Sequence, residues 1–166
     1  MKRLLLLIFS LVFAFALCQG QYPGIIAGSN AAAYGAEKIT DGDFPDNTNW
    51  TEGTSWLIGG EVATYDDLAN STMSQPDITM VSVMAVYTTY KLEFDIVIGG
   101  GGTASIKFQN QDGTIVYVAQ TSYSNGHANF EFETGADVSD GGFGIRAYTA
   151  STATFTIDNV SLMEKL

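Results

Sequence analysis

The segment Phe155-Thr156-Ile157-Asp158-Asn159-Val160-Ser161-Leu162, close to the end of the 166-residue chain, decides the fold. In a regular strand, alternate side chains face opposite sides of the sheet. Phe155 and Ile157 would therefore share one face, while Val160 and Leu162 would share the other. A β-bulge at Asp158-Asn159 adds one residue and turns all four apolar side chains inward. The segment predicts a bulged last strand in which Asp158 points away from the core.

Several other segments show the two-residue periodicity of strands. The segment from Tyr90 to Ile98 alternates its side chains between an apolar face and a mainly polar one, as do shorter stretches around Phe130 and Phe143. No segment shows a sustained helical stripe. The sequence therefore predicts an all-β protein, an antiparallel β-sandwich or jelly roll.

Two further segments give more specific expectations. Residues 103–108 and 114–119 predict a hairpin, because the intervening Asn110-Gln111-Asp112-Gly113 contains the Asp-Gly turn signal. The run from Ile78 to Tyr87 has apolar residues at both odd and even positions, so that both faces of a strand would be apolar. Such a run predicts a central strand that is covered on both sides.

The N-terminus has the pattern of an export signal. Met1-Lys2-Arg3 is basic, and an apolar run extends from there to Cys18. This run is shorter than the roughly 20 residues of a membrane-spanning helix. We expect a signal peptide at residues 1–20, a Gly/Ala-rich arm or linker at residues 21–37 and the β-sandwich at residues 38–166. Two alternatives stay open: Cys18 is lipidated, or the apolar segment is retained and packs in an assembly.

The composition narrows the classes of partner. The chain carries 18 acidic and 7 basic residues, a formal net charge of −11. Nucleic acid and anionic membranes are disfavoured as partners, because binding them needs a basic surface. With the signal removed, no membrane span is expected, and the protein would be secreted or held at the cell surface. Cys18 is the only cysteine, so the mature chain can form no internal disulfide and no cysteine-based metal site.

The sequence also argues against catalysis. His127 is the only histidine, and no Gly-x-Ser-x-Gly motif is present. A catalytic zinc site needs several His or Cys ligands, which the chain lacks. Acidic residues are plentiful, but nothing places two of them across a cleft as glycoside hydrolysis requires. We therefore predict that the protein is not an enzyme.

Three segments, in order, resemble a known family. Ile39-Thr40-Asp41-Gly42-Asp43-Phe44 with Trp50 resembles the opening of galactose-binding-like jelly rolls, which include the carbohydrate-binding modules attached to cellulases and xylanases. Tyr90-Lys91-Leu92-Glu93-Phe94-Asp95 resembles the central strand of that family, and Ile157-Asp158-Asn159-Val160-Ser161-Leu162 resembles its closing strand. The resemblance covers about residues 38–163. It implies that Trp50 and Tyr90 belong to the core.

The resemblance also implies a metal. In this family a structural calcium often joins the first and last strands, and oxygen ligands suit such a hard cation. By resemblance Asp158 would be a ligand, with Asp43 or Asp41 as companions. The family often has Glu after the Phe, where this chain has Pro45-Asp46. The alternative is that Asp158 caps the bulge and Asp41 forms a turn.

Modules of this type stack sugar rings on aromatic side chains beside hydrogen-bonding groups. Trp56 leads the candidates, because polar and glycine residues flank it. Tyr123 and His127 follow, since they lie in a predicted loop. The candidate ligand-binding residues are Trp56, Tyr65, Tyr123, His127 and Gln109, with Tyr87, Tyr117 and Tyr148 as further aromatic candidates.

Two functions fit this pattern. The first is a non-catalytic module that binds an extracellular glycan. The alternative is a structural subunit of a surface filament, fibre or virion, which would assemble with copies of itself through its N-terminal arm.

Overall fold

A computed structural model of the protein describes residues 32–139, 141–151 and 153–166. The expected signal peptide and most of the expected arm lie outside these residues. The described chain forms ten strands in two antiparallel sheets, with two short 3-10 helices, Asp77–Thr79 and Gly99–Gly101. None of its helical segments is long and apolar enough to cross a membrane.

The larger sheet has six strands. In chain order they are β1 Tyr34–Glu37, β2 Trp56–Ile58, β3 Ala63–Tyr65, β5 Thr89–Ile98, β8 Gly126–Glu133 and β10 Phe155–Lys165. Their spatial order is β2-β3-β10-β5-β8, and β1 also pairs with β10. The smaller sheet has four strands in the order β4-β9-β6-β7: β4 Ser71–Gln75, β6 Ala104–Gln109, β7 Val116–Tyr123 and β9 Phe143–Ala147.

The periodic segments form strands, as predicted. β5 buries Tyr90, Leu92, Phe94 and Ile96 on one face, and β6 buries Ile106 and Phe108 opposite them. The predicted hairpin pairs β6 with β7, and its turn uses Gly113 at φ +82°. Trp50 is buried against Phe44, as the resemblance implied for a core residue. The core therefore lies between the two sheets.

The bulge in β10 is confirmed. Asp158 is opposite Asp95 and Ser161 is opposite Glu93, so β10 holds one residue more than β5 between the two pairs. Asn159 has φ +52°, a conformation that Asn tolerates better than most residues. The inward side chains are at most 3% exposed on both sides of the bulge: Phe155, Ile157, Val160 and Leu162.

The opening segment closes onto this bulge. Val160 N–H donates to the Gly42 carbonyl over 2.8 Å, and Lys38 N–H donates to the Leu162 carbonyl over 2.8 Å. A Cβ on Gly42 would lie 1.9 Å from the Val160 carbonyl oxygen. Only glycine allows this approach, which explains the Asp-Gly-Asp sequence at positions 41–43.

The sheet also begins earlier than the sequence suggested. β1 pairs with the end of β10 and lies inside the segment that was assigned to the arm. The Glu37 carboxylate accepts hydrogen bonds from the backbone N–H groups of Lys38, Ile39 and Leu162 and from the Ser161 hydroxyl. Four donors beside the bulge are thus satisfied by one side chain.

The prediction of a buried strand from Ile78 to Tyr87 is wrong. The segment begins inside the short Asp77–Thr79 helix and continues as irregular chain. Met80 and Met84 point into the core, whereas the large apolar side chains between them and around them are exposed: Ile78, Val81, Val83, Val86 and Tyr87. An apolar run without a period does not define its own secondary structure, and here no neighbouring strand pairs with it.

The contact at Gly42 gives a test of the closure. We expect Gly42→Ala to lower the free energy of unfolding by about 3 kcal/mol, because the new methyl group must push the bulge away. Gly59→Ala is the matched control, since a Cβ there meets nothing within 4 Å. Urea unfolding measures both variants. Equal stability of the two variants would contradict the close approach.

Candidate functional site

Two of the predicted ligand residues lie in the core. Trp56 is 4% exposed and meets the Phe155 ring edge-on at a centroid distance of 5.7 Å. Its indole N–H donates to the Ser71 carbonyl. Tyr65 is fully buried and its hydroxyl donates to the Ala69 carbonyl. Neither ring offers an open face to a sugar, so the structure assigns both to packing.

Tyr123 and His127 lie on different sheets. Tyr123 ends β7 and packs inward, 5.3 Å from the Phe94 ring, and this burial raises the pKa of its hydroxyl to about 12. His127 is in β8, on the outer face of the six-stranded sheet. The two residues are therefore not brought together. Of the further aromatic candidates, Tyr117 is buried and Tyr87 is exposed in the irregular segment before β5.

His127 belongs to a network of charged and polar groups on that outer face. Its Nδ1 lies 2.8 Å from Asp95 and its Nε2 lies 3.4 Å from Glu93. The Asn159 amide donates to Asp95, and Lys91 pairs with Glu93 at 2.8 Å. The hydrogen bond to His127 lowers the pKa of Asp95, and the hydrogen bonds to Asp95 and Glu93 raise the pKa of His127.

Two of the three expected calcium ligands accept local hydrogen bonds. The Asp158 carboxylate accepts from the N–H of Asn159, and Asp41 accepts from the Asn49 amide, while Asp43 is exposed. Across the described residues, no three His, Cys, Asp or Glu side chains are placed to share a metal ion. Calcium binding, for which the resemblance implies backbone carbonyls as further ligands, stays a prediction.

The outer face of the four-stranded sheet has a different character. Its strands contain no Asp or Glu. The pairing of β4, β9 and β6 places Thr72, Arg146 and Lys107 in one row across this face. Arg146 Nη1 lies 3.5 Å from the Thr72 hydroxyl, and both cationic side chains are half-buried.

An aromatic ring lies beside this row. Tyr148 follows β9, and its backbone N–H donates to the Ser105 carbonyl, so it continues the edge of the face. The Arg146 guanidinium lies over its ring, 5.4 Å from the centroid. On the other side of Ser105, the Gln120 amide donates to the Ser105 hydroxyl. The face thus combines a half-exposed aromatic ring with several hydrogen-bonding side chains.

Gln109 belongs to the next row, with Gly144 and Ser74. It is 2% exposed, and its Oε1 finds no hydrogen-bond donor among the described residues. A buried acceptor without a donor costs about 1–3 kcal/mol. A Cβ on Gly144 would lie 3.0 Å from the Asn110 carbonyl, so glycine keeps the rows close together. Of the five residues proposed from sequence, Gln109 is the one that the structure places on this face.

Comparisons with known proteins agree with the architecture. No protein-family model matches the sequence, and a comparison with curated proteins finds no match. Among solved structures, a family 4 carbohydrate-binding module superposes with a TM-score of 0.55 at 13% identity, covering 74% of this chain and 99% of that one. The N-terminal cellulose-binding domain of β-1,4-glucanase C from Cellulomonas fimi superposes with a TM-score of 0.55 at 15% identity, covering 79% and 99%.

These likenesses show the fold. The described chain is a jelly-roll β-sandwich with two antiparallel sheets, as the sequence predicted, and its fold is similar to that of these carbohydrate-binding modules.

Sequence reasoning missed the face itself. Lys107 and Arg146 occupy the outward positions of two strands that are almost 40 residues apart. The sequence shows that these two residues alternate with the apolar residues Ile106, Phe108 and Ile145, which predicts that they face outward. It does not show that Lys107 and Arg146 are neighbours, because that depends on the pairing of β6 with β9.

The histidine network makes a pH-dependent prediction. We expect the pKa of His127 to lie above the ordinary value of about 6.5. The stability contributed by its protonation is then fully present below that ordinary value and is lost as the pH rises through the raised pKa. An NMR titration of the imidazole protons measures the pKa of His127, and Asp95→Asn should lower this pKa.

Glu133→Gln is the control for this titration, because Glu133 lies on the same strand as His127 without contacting its ring. A wild-type pKa at or below the ordinary value would contradict the ion pair.

Proposed function

We propose that the protein is a non-catalytic, extracellular carbohydrate-binding module whose glycan lies across the outer face of the four-stranded sheet. The observation that carries the proposal is the arrangement on this face. It holds a half-exposed Tyr148 ring next to a row of polar side chains, whereas the rings of Trp56 and Tyr65, two candidates chosen from sequence, are buried.

The chemistry of a sugar matches this arrangement. A pyranose has an apolar C–H face, which packs on an aromatic ring, and hydroxyls that need donors and acceptors. Tyr148 supplies the ring, and Thr72, Arg146, Lys107 and Gln120 supply the polar groups.

The two solved structures named above support the proposal. One is a carbohydrate-binding module and the other is a cellulose-binding domain of a glucanase. Both share this fold, and both are similar over almost their entire length. Binding of a glycan outside the cell agrees with the export signal expected at residues 1–20.

The arrangement of the acidic residues supports a non-catalytic role. Glu93 and Asp95, on the outer face of the other sheet, are held by Lys91, His127 and Asn159. Assembly into a filament, fibre or virion through the arm rests on residues that lie mainly outside the described part of the chain. No observation favours that alternative, so self-association is not proposed.

Binding to immobilised and soluble polysaccharides tests the proposal. We expect a panel of neutral and acidic glycans, assayed by affinity electrophoresis and isothermal titration calorimetry, to contain at least one ligand. Tyr148→Ala should weaken its binding about tenfold or more, which corresponds to about 1.4 kcal/mol.

Tyr34→Ala is the matched control, because Tyr34 lies on the other sheet, where its hydroxyl donates to Glu131. Its affinity should equal that of the wild type. A loss of binding in Tyr34→Ala with no loss in Tyr148→Ala would contradict the proposal, because the ligand would then lie on the six-stranded sheet.

A further inference from the structure

The charges of the sandwich are divided between its two sheets. Every acidic residue found in a strand belongs to the six-stranded sheet: Glu37, Glu93, Asp95, Glu131, Glu133, Asp158 and Glu164. The strands of the four-stranded sheet contain Lys107 and Arg146 and no acid. A chain with a net charge of −11 therefore presents one cationic face.

The cations on this face are also the ones left unpaired. Five Lys and Arg residues lie in the described part of the chain. Lys38 pairs with Glu164, Lys91 pairs with Glu93 and Lys165 pairs with Glu131. Within the described ranges, Lys107 and Arg146 form no ion pair, although acidic residues outnumber basic ones in the whole chain.

Lys107 and Arg146 are held next to each other. They are directly opposite in the antiparallel pairing of β6 with β9. Two like charges directly opposite each other in a sheet are destabilising. An anion bound between them would remove this repulsion. Within the described structure neither side chain has an acidic partner that would offset the repulsion.

The geometry around Arg146 restricts the form of that anion. Its guanidinium lies over the Tyr148 ring, 5.4 Å from the centroid, and its Nη1 lies 3.5 Å from the Thr72 hydroxyl. A guanidinium matches the paired oxygens of a carboxylate or sulfate, and Lys adds a second positive charge. An acidic sugar can therefore pack its ring near Tyr148 and place its anionic substituent between the two cations.

We infer that the outer face of the four-stranded sheet binds an anionic glycan, one whose sugars carry carboxylate or sulfate groups. The inference rests on the proposed function and names the class of its ligand. The acidic sheet does not prevent such binding. Stacked sheets lie about 10 Å apart, and exposed charges at that separation or beyond are largely screened at 0.15 M salt, where the Debye length is about 8 Å.

The experiment compares four probes by affinity electrophoresis and calorimetry. Polygalacturonate carries carboxylates, dextran sulfate carries sulfates, barley β-glucan is neutral, and double-stranded DNA is a polyanion without a sugar ring open to stacking. We expect one of the two acidic polysaccharides to bind at least tenfold more tightly than β-glucan and DNA. Which of them binds identifies the anionic group.

The variants separate the two cations from the rest of the molecule. The double variant Lys107→Gln with Arg146→Gln should bind the acidic polysaccharide at least tenfold more weakly than the wild type. Adding 0.5 M NaCl should weaken wild-type binding by a similar factor. Lys91→Gln with Lys165→Gln removes the same charge from the other sheet and should leave binding unchanged. Arg146→Lys should retain more affinity than Arg146→Gln. Thermal melting of each variant shows that the fold is retained.

The outcomes distinguish the inference from the function on which it rests. Binding of neutral β-glucan that depends on Tyr148 but not on Lys107 and Arg146 would overturn the inference and leave the proposed function standing. Equal binding of DNA and the acidic polysaccharides, unaffected by Tyr148→Ala, would overturn it as well, because the face would then attract any polyanion. Failure of every glycan to bind would overturn both.

Discussion

The one-residue bulge in β10 is the constraint on which the sandwich depends. Without the bulge, only one of two pairs could face the core, either Phe155 with Ile157 or Val160 with Leu162. The other pair would face solvent. Burying one such side chain contributes about 1.5–3 kcal/mol, so the loss of a pair is comparable with the whole stability of a small domain. The bulge has a cost, because it removes ladder hydrogen bonds. The Gly42 carbonyl and the Glu37 carboxylate replace them.

The bulge also orders the larger sheet. β10 pairs with β5 along its length, and on its other edge β3 pairs before the bulge and β1 after it. The same bulge turns Asp158 and Asn159 outward, where Asn159 donates to Asp95. The acids of this sheet are thus tied into local networks. The strands of the four-stranded sheet contain no acidic residue, and its two cations, Lys107 and Arg146, form no ion pair in the described part of the chain.

Much of the fold could be predicted from the sequence, because its signals are local. Between Phe155 and Leu162 the apolar residues change from odd to even positions, and this change predicted the bulge. The Asp-Gly signal predicted the β6–β7 hairpin. The segment from Ile78 to Tyr87 could not be predicted, since its apolar residues have no period and exposure depends on which strands pair nearby. β1 was missed because its short sequence, Tyr-Gly-Ala-Glu, carries no alternation of its own.

The site was harder to predict than the fold, because it depends on register. Local context made Trp56 resemble an exposed aromatic residue, yet Tyr65 and Phe155 reach it from other strands and bury it. The net charge disfavoured nucleic acid and anionic membranes as partners, but a total does not show how the charge is divided between the two sheets. Chemical-shift mapping with isotope-labelled protein and a bound glycan locates the ligand directly. We predict shifts concentrated on β4, β6 and β9. Shifts concentrated instead around Glu93, Asp95 and His127 would contradict this assignment of the binding face.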